Sequence, residues 1–185
     1  MRLFARKILM AKWAKDIDGE ISADAITSCL RTFKNSLSFW EIEELNEEAI
    51  KRCVLAMATS ENVENLSSMN ILTIDESFFI ENDLVIEHAP EQGKSHIPSL
   101  NKYHFDLINL NYSRLKIFAD FIKKRVDYFS SLNKEEKLKI FEIRIIIESK
   151  VVAIVQDAIN DGTLDASLLN EKLRARFNSN PQSIP

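Results

Sequence analysis

Glycine is almost missing from this chain, with 3 among 185 residues where ordinary usage of about 7% would supply roughly 13. Gly19, Gly93 and Gly162 stand far apart, so neither a GxGxxG fingerprint nor a GxxxxGK[ST] loop can be written anywhere. Both devices need glycine, because only glycine takes positive φ freely and lets a phosphate approach the backbone. Cysteine is scarce too. Cys29 and Cys53 lie in stretches of helical, partly apolar character, build no disulfide framework and no CxxC metal pair, and read as buried reduced thiols. No run of 18 apolar residues exists. The richest stretch, 140–155, is broken by Glu142, Arg144, Glu148 and Lys150, which excludes a spanning helix there. The opening MRLFARKILMAKW is interrupted by Arg6, Lys7 and Lys12 and precedes no small-residue cleavage site, so it reads as a first strand and not as a leader. The expectation is a soluble, cytoplasmic protein with no membrane partner. Internal repeats and low-complexity tracts are absent, and no HExxH, HxxxH or HxH spacing asks for a metal. No cofactor is expected.

What the chain does have is polarised charge. The net charge is −4, but residues 1–60 are neutral, residues 61–100 carry −7 with Lys94 as their single base, and residues 101–185 carry +3. An acidic middle repels phosphate backbones, so nucleic-acid binding is disfavoured and would have to come from the C-terminal helices. There the runs Lys123–Arg125 and Arg174–Arg176 are diluted by Asp120, Asp127, Glu135 and Glu136 and read as a salt-bridged solvated surface.

Length and 45% hydrophobic content suit one self-sufficient domain over 1–178, sheet-rich through residue 100 and helical from 101, followed by a disordered tail at 179–185. Leu3–Trp13 predicts a strand, and KDIDGE around Gly19 a hairpin or loop. Ser22 caps a short helix, and Ser36–Ile42 alternates as a strand with aromatics. Asn46 opens a helix to about Thr59, its first-turn glutamates complementing the helix dipole. ILTID and DLVIEH read as two strands joined through ESFFIEN, with a turn at Asn82–Asp83. EQGKSHIPS is the best loop. Beyond Tyr103, Leu107, Leu110, Leu115, Phe118, Ile122, Val126 and Phe129 form one helical stripe. Asn133, with Glu136 three residues on, starts a further helix to about Asp161 whose two isoleucine-rich stripes are wider than one neighbour covers. Its β-branched EIRIIIE at 142–148 leaves a strand as the competing reading. Gly162 ends it, and Leu169, Leu173 and Phe177 mark a last short helix. The fold class is α+β: a small mixed or antiparallel sheet in the first half and a three-helix C-terminal half packed against it.

Two segments nominate themselves for function. All three histidines, His88, His96 and His104, fall within 17 residues, around Gly93 and beside Glu87, Glu91 and Asp106. If a helix begins there, His104 and Asp106 diverge by about 200°. The plainer reading makes these histidines packing, capping or solvent-edge residues. The catalytic candidates are His104, Asp106, His88 and Glu87, and a metal-dependent hydrolase or nuclease would draw on residues 75–106, with Asp75, Glu87 and His104 as its ligands. The other segment is the acidic middle, whose Phe78, Phe79, Glu81, Asp83, Glu87 and Glu91 describe a surface apolar at its centre and charged at its rim. The leading expectation is a non-catalytic interaction protein: an accessory subunit, inhibitor or immunity-type partner. It would bind another protein, or itself as a homodimer, through this surface or through the Ile-rich helix.

Overall fold

The computed structural model describes residues 2–178, and residues 179–185, read above as a disordered tail, lie outside the described residues. Strand β1 (Leu3–Ile8) is followed by a short helix α1 (Met10–Trp13), the hairpin β2 (Asp16–Ile17) and β3 (Glu20–Ile21), and helix α2 (Ala23–Cys29). The expected strand over Leu3–Trp13 therefore stops at Ile8, and Trp13 enters the core from α1. The hairpin turns through Asp18 and Gly19, both at positive φ, a pairing in which glycine is strain-free and aspartate tolerated. Strand β4 (Leu37–Ile42) and helix α3 (Glu47–Ala58) follow. Ser22 and Asn46 cap α2 and α3 by accepting from Ala25 N and Ala49 N.

Strand β5 (Met69–Asp75) runs directly into helix α4 (Glu76–Glu81), so ESFFIE is helical rather than a connecting loop. Asp75 makes that possible by turning out of the strand and accepting from Ser77 N at 2.8 Å. Strand β6 (Val85–His88), a 3₁₀ turn at Pro90–Gln92 and helix α5 (Pro98–Asn101) lead to strand β7 (His104–Ile108). Helix α6 (Tyr112–Ser131), helix α7 (Lys134–Lys139), strand β8 (Ile143–Ile146), helix α8 (Glu148–Asn160) and helix α9 (Glu171–Asn178) follow among the described residues.

The fold is α+β, built on a six-stranded antiparallel sheet in the order β6-β7-β4-β1-β5-β8. Two of those strands, β7 and β8, come from the half expected to be helical, β8 being the strand that EIRIIIE left as the competing reading. The long helix expected from Asn133 to Asp161 is three elements. Its capping box at Asn133 and Glu136 is real, but the chain leaves the helix after Lys139 and pairs β8 with β5. Strand pairing resolves the excess apolar width, because Ile143 faces one core and Ile146 the other.

Alternation along each strand feeds two cores. Ala5, Trp40, Ile42, Met69, Ile71 and Ile146 meet α3, α8 and α9 on one face. Phe4, Phe39, Leu72, Ile74, Phe105 and Leu107 meet α1, α2, α4 and α6 on the other. The second core is aromatic, with Phe79 edge-on to both Phe4 and Phe39 at 5.6 Å, and such pairs add about 0.5–1.5 kcal/mol each beyond area burial. No helix among the described residues is long and apolar enough to cross a membrane.

Candidate functional site

The C-terminal end of β5 carries the strongest candidate. Thr73 and Asp75 alternate onto the same face of that strand and both line a cavity of about 560 Å³. Leu3 and Leu45 contribute from one side, Phe78 and Phe121 from another, and Phe141 and Glu142 from the approach to β8. Two polar atoms in this lining are buried without a hydrogen-bond partner, Thr73 Oγ1 and Asp75 Oδ2. Asp75 spends its other oxygen capping α4, which leaves one carboxylate oxygen buried and unpaired beside the cavity. Thr73 is 7% exposed. A buried unpaired hydroxyl or carboxylate oxygen costs about 1–3 kcal/mol or more, so both atoms are poised to gain from an incoming donor.

The walls are aromatic. The Phe78 and Phe121 rings lie 4.0 Å apart, and Arg125 sits over Phe121 at 5.2 Å while facing Glu142 at 3.6 Å. Glu81 and Lys139 complete the polar rim. A half-buried carboxylate, a hydroxyl and a stacked aromatic pair together suit a cation carrying an apolar stem, for which ring faces and carboxylate are both attractive.

The acidic surface expected around Phe78 and Phe79 is redistributed by the fold. Phe79 is 1% exposed and belongs to the aromatic core, so it offers no contact to a partner. Phe78 and Glu81 reach the cavity. Asp83 is exposed and faces Arg114 at 3.4 Å, while Glu87 and Glu91 are exposed on β6 and the 3₁₀ turn, outside the cavity lining. The centre of the candidate surface is therefore Thr73 and Asp75, with Phe121 and Phe141 brought in from the distant second half. The sequence signal was partial: Asp75 stands out only as one carboxylate of an acidic segment, its role as the cap of α4 is not visible because ESFFIEN reads as a connection, and Thr73 and Phe121 join it only through tertiary packing.

The histidines do not converge. Asp75 on β5 stands three strands from His104 on β7, roughly 14 Å at about 4.8 Å per strand. His88 is exposed, donates through Nε2 to Lys102 O at 2.7 Å and packs against Phe105, on the opposite face from His104. His96 is held in the loop by its backbone, which donates to Thr59 O. Among the described residues no group of three histidine, cysteine or acidic side chains is placed to hold a metal. One expectation is overturned outright: His104 and Asp106 lie on a strand and not at a helix start, so they share a face. His104 Nδ1 donates to Ala89 O at 2.9 Å, leaving Nε2 3.9 Å from Asp106 Oδ1. That pair is buried under a second cleft at the far end of β1.

Lys123 in the first basic run is paired twice, with Asp16 at 2.8 Å and Asp127 at 2.6 Å, as a salt-bridged surface requires. Both cysteines are free and buried. Burial pushes the Cys53 thiol up to about 12, against nucleophilic use. No family model, curated protein or solved structure matches the chain, so the residues and their geometry alone support a functional assignment.

Proposed function

We propose that this protein is a non-catalytic interaction module that docks a basic side chain of another protein into the Thr73–Asp75 cavity. The observation that carries the reading is the pair of buried, unpartnered oxygens, Thr73 Oγ1 and Asp75 Oδ2, on residues lining a cavity of about 560 Å³ walled by Phe78 and Phe121. A lysine or arginine supplies what is missing. Its charged head donates to both oxygens, and its methylene stem lies against the rings, as long basic side chains do at apolar surfaces. The −7 charge of residues 61–100 draws such a partner in and speeds encounter. Two buried free thiols accord with a reducing, cytoplasmic setting.

The test is a nuclear magnetic resonance titration of the protein with short lysine- and arginine-bearing peptides and with an acidic peptide of equal length. Amide shifts should concentrate at Thr73–Glu81 with the basic peptides alone. Asp75→Asn keeps a capping side chain on α4 but removes the charge, and should weaken basic-peptide binding about tenfold, the scale of one charged hydrogen bond. Shifts that are absent, or equal for acidic and basic peptides, end the proposal.

A further inference from the structure

The face of the sheet that carries Trp40 and Ile42 is covered by helices over β1, β5 and β8, but that cover ends where the strands turn polar. Ser38 pairs with Asp106, and Trp40 with His104, across β4 and β7. A strand face bearing serine, histidine and aspartate cannot lie under an apolar helix without leaving polar groups unpaired, and an open cleft of about 720 Å³ remains. Its chemistry is the reverse of the Asp75 cavity. Arg6 and Lys7 enter from the end of β1, Arg31 and Phe33 from the α2–β4 loop, and Lys94 from the loop before α5.

Four cations around one carboxylate make this the basic site of a net acidic protein. Lys7 and Arg31 are exposed and have no ion-pair partner among the described residues. Lys94 has Glu61 at 3.4 Å. Arg6 is committed through both terminal nitrogens, which donate to Ser38 O and Cys29 O at 2.6 Å, while its Nε is buried and unpartnered. Burial lowers Arg6 to about 10, so a bound anion would relieve a standing cost. Asp106 sets the second requirement. It is 8% exposed, and its Oδ1 has no hydrogen-bond partner, with His104 Nε2 too far to serve. A bare anion would leave that oxygen unsatisfied and repelled, so the ligand must carry an N–H or O–H donor as well as negative charge. The 72%-exposed Phe33 at its rim offers ring surface, and the volume falls within the roughly 300–1,000 Å³ of small-molecule sites.

We propose that this cleft binds a small phosphate ester bearing a hydrogen-bond-donating planar ring, of the size of a nucleoside monophosphate, with Lys7, Arg31 and Lys94 facing the phosphate and Asp106 accepting from the ring. The phosphate is held by side chains, in keeping with the lack of a glycine-rich loop. The net negative charge of the chain selects a small ligand over a nucleic-acid polymer, whose backbone it repels.

Calorimetric titration of the full chain with the four ribonucleoside monophosphates, the parent nucleosides, inorganic phosphate and a single-stranded RNA decamer tests this. At least one monophosphate should saturate at low-millimolar concentration or below, about tenfold tighter than inorganic phosphate and its own nucleoside. Lys7→Glu combined with Arg31→Glu, both exposed positions, should abolish that binding without changing the melting temperature. Asp106→Asn should alter which monophosphate is preferred, read by chemical shifts at His104 and Asp106 neighbours if its stability falls. Absence of saturation by every monophosphate, equal affinity for inorganic phosphate, tighter binding of the decamer, or unchanged affinity in the double variant each overturns the proposal.

Discussion

Phe78 and Phe79 are adjacent and identical in chemistry, yet the helix carrying them turns one toward a cavity and the other into the core. A 100° step around α4 leaves Phe78 half-buried against Phe121 and sends Phe79 between Phe4 and Phe39. Phe79→Ala should therefore cost about 3–5 kcal/mol, measured by denaturant unfolding. Phe78→Ala should cost less stability and act on basic-peptide affinity instead; equal losses of stability would contradict this division. Cys53 makes a similar point about environment. A thiol raised to about 12 by burial is protonated at pH 8, so alkylation of the native protein should be slow there and become complete on unfolding. Fast labelling of Cys53 in the native state would show that α3 opens. Gly93 is another residue whose role the fold reassigns. It does not need positive φ; a Cβ there would lie 2.7 Å from Asn101 Oδ1, the atom that accepts from Ser95 N. Its smallness closes the loop before α5 rather than serving ligand approach.

At the scale of elements, most short-range signals are legible in the sequence, the Asp75 cap of α4 being the exception. The caps at Ser22, Asn46 and Asn133, the Gly19 hairpin and the helix end at Gly162 all depend on a few neighbouring residues, and all are present. Strands β7 and β8 escaped because their evidence is not local. HFDLI at β7 is masked by Leu107 and Leu110 falling in phase with the stripe of α6, and only pairing with β4 and β6 makes it a strand. At β8, EIRIIIE allowed both states, and the free side of β5 decided between them. The outcome leaves β8 at the edge of the sheet, with Ile145 and Ile147 exposed at 49% and 61%. An apolar edge strand is a template for further pairing. Ile145→Lys should reduce self-association at high concentration, followed by light scattering, while leaving the melting temperature unchanged. A drop in melting temperature instead would mean that Ile145 packs inside the fold.

For the whole molecule, the charge asymmetry seen along the chain becomes an asymmetry in space. Leu3 at one end of β1 belongs to the cavity that holds Asp75 and Glu81; Lys7 at the other end belongs to the cleft with Arg31 and Lys94. The acidic segment 61–100 contributes to both, since Lys94, its single base, lies in the basic cleft. Sequence alone determined the α+β class, the principal caps and turns, the buried thiols and the lack of a glycine-built phosphate loop, because each rests on composition or on contacts a few residues apart. Only the tertiary structure decided which residues share a site. His104 meets Asp106 because both alternate onto one face of β7, and Thr73 and Asp75 share a cavity with Phe121 across 46 or more residues of chain because the fold brings α6 to that end of the sheet. Such convergence depends on strand order and helix placement, which arise from burying two cores at once and not from any local run of residues.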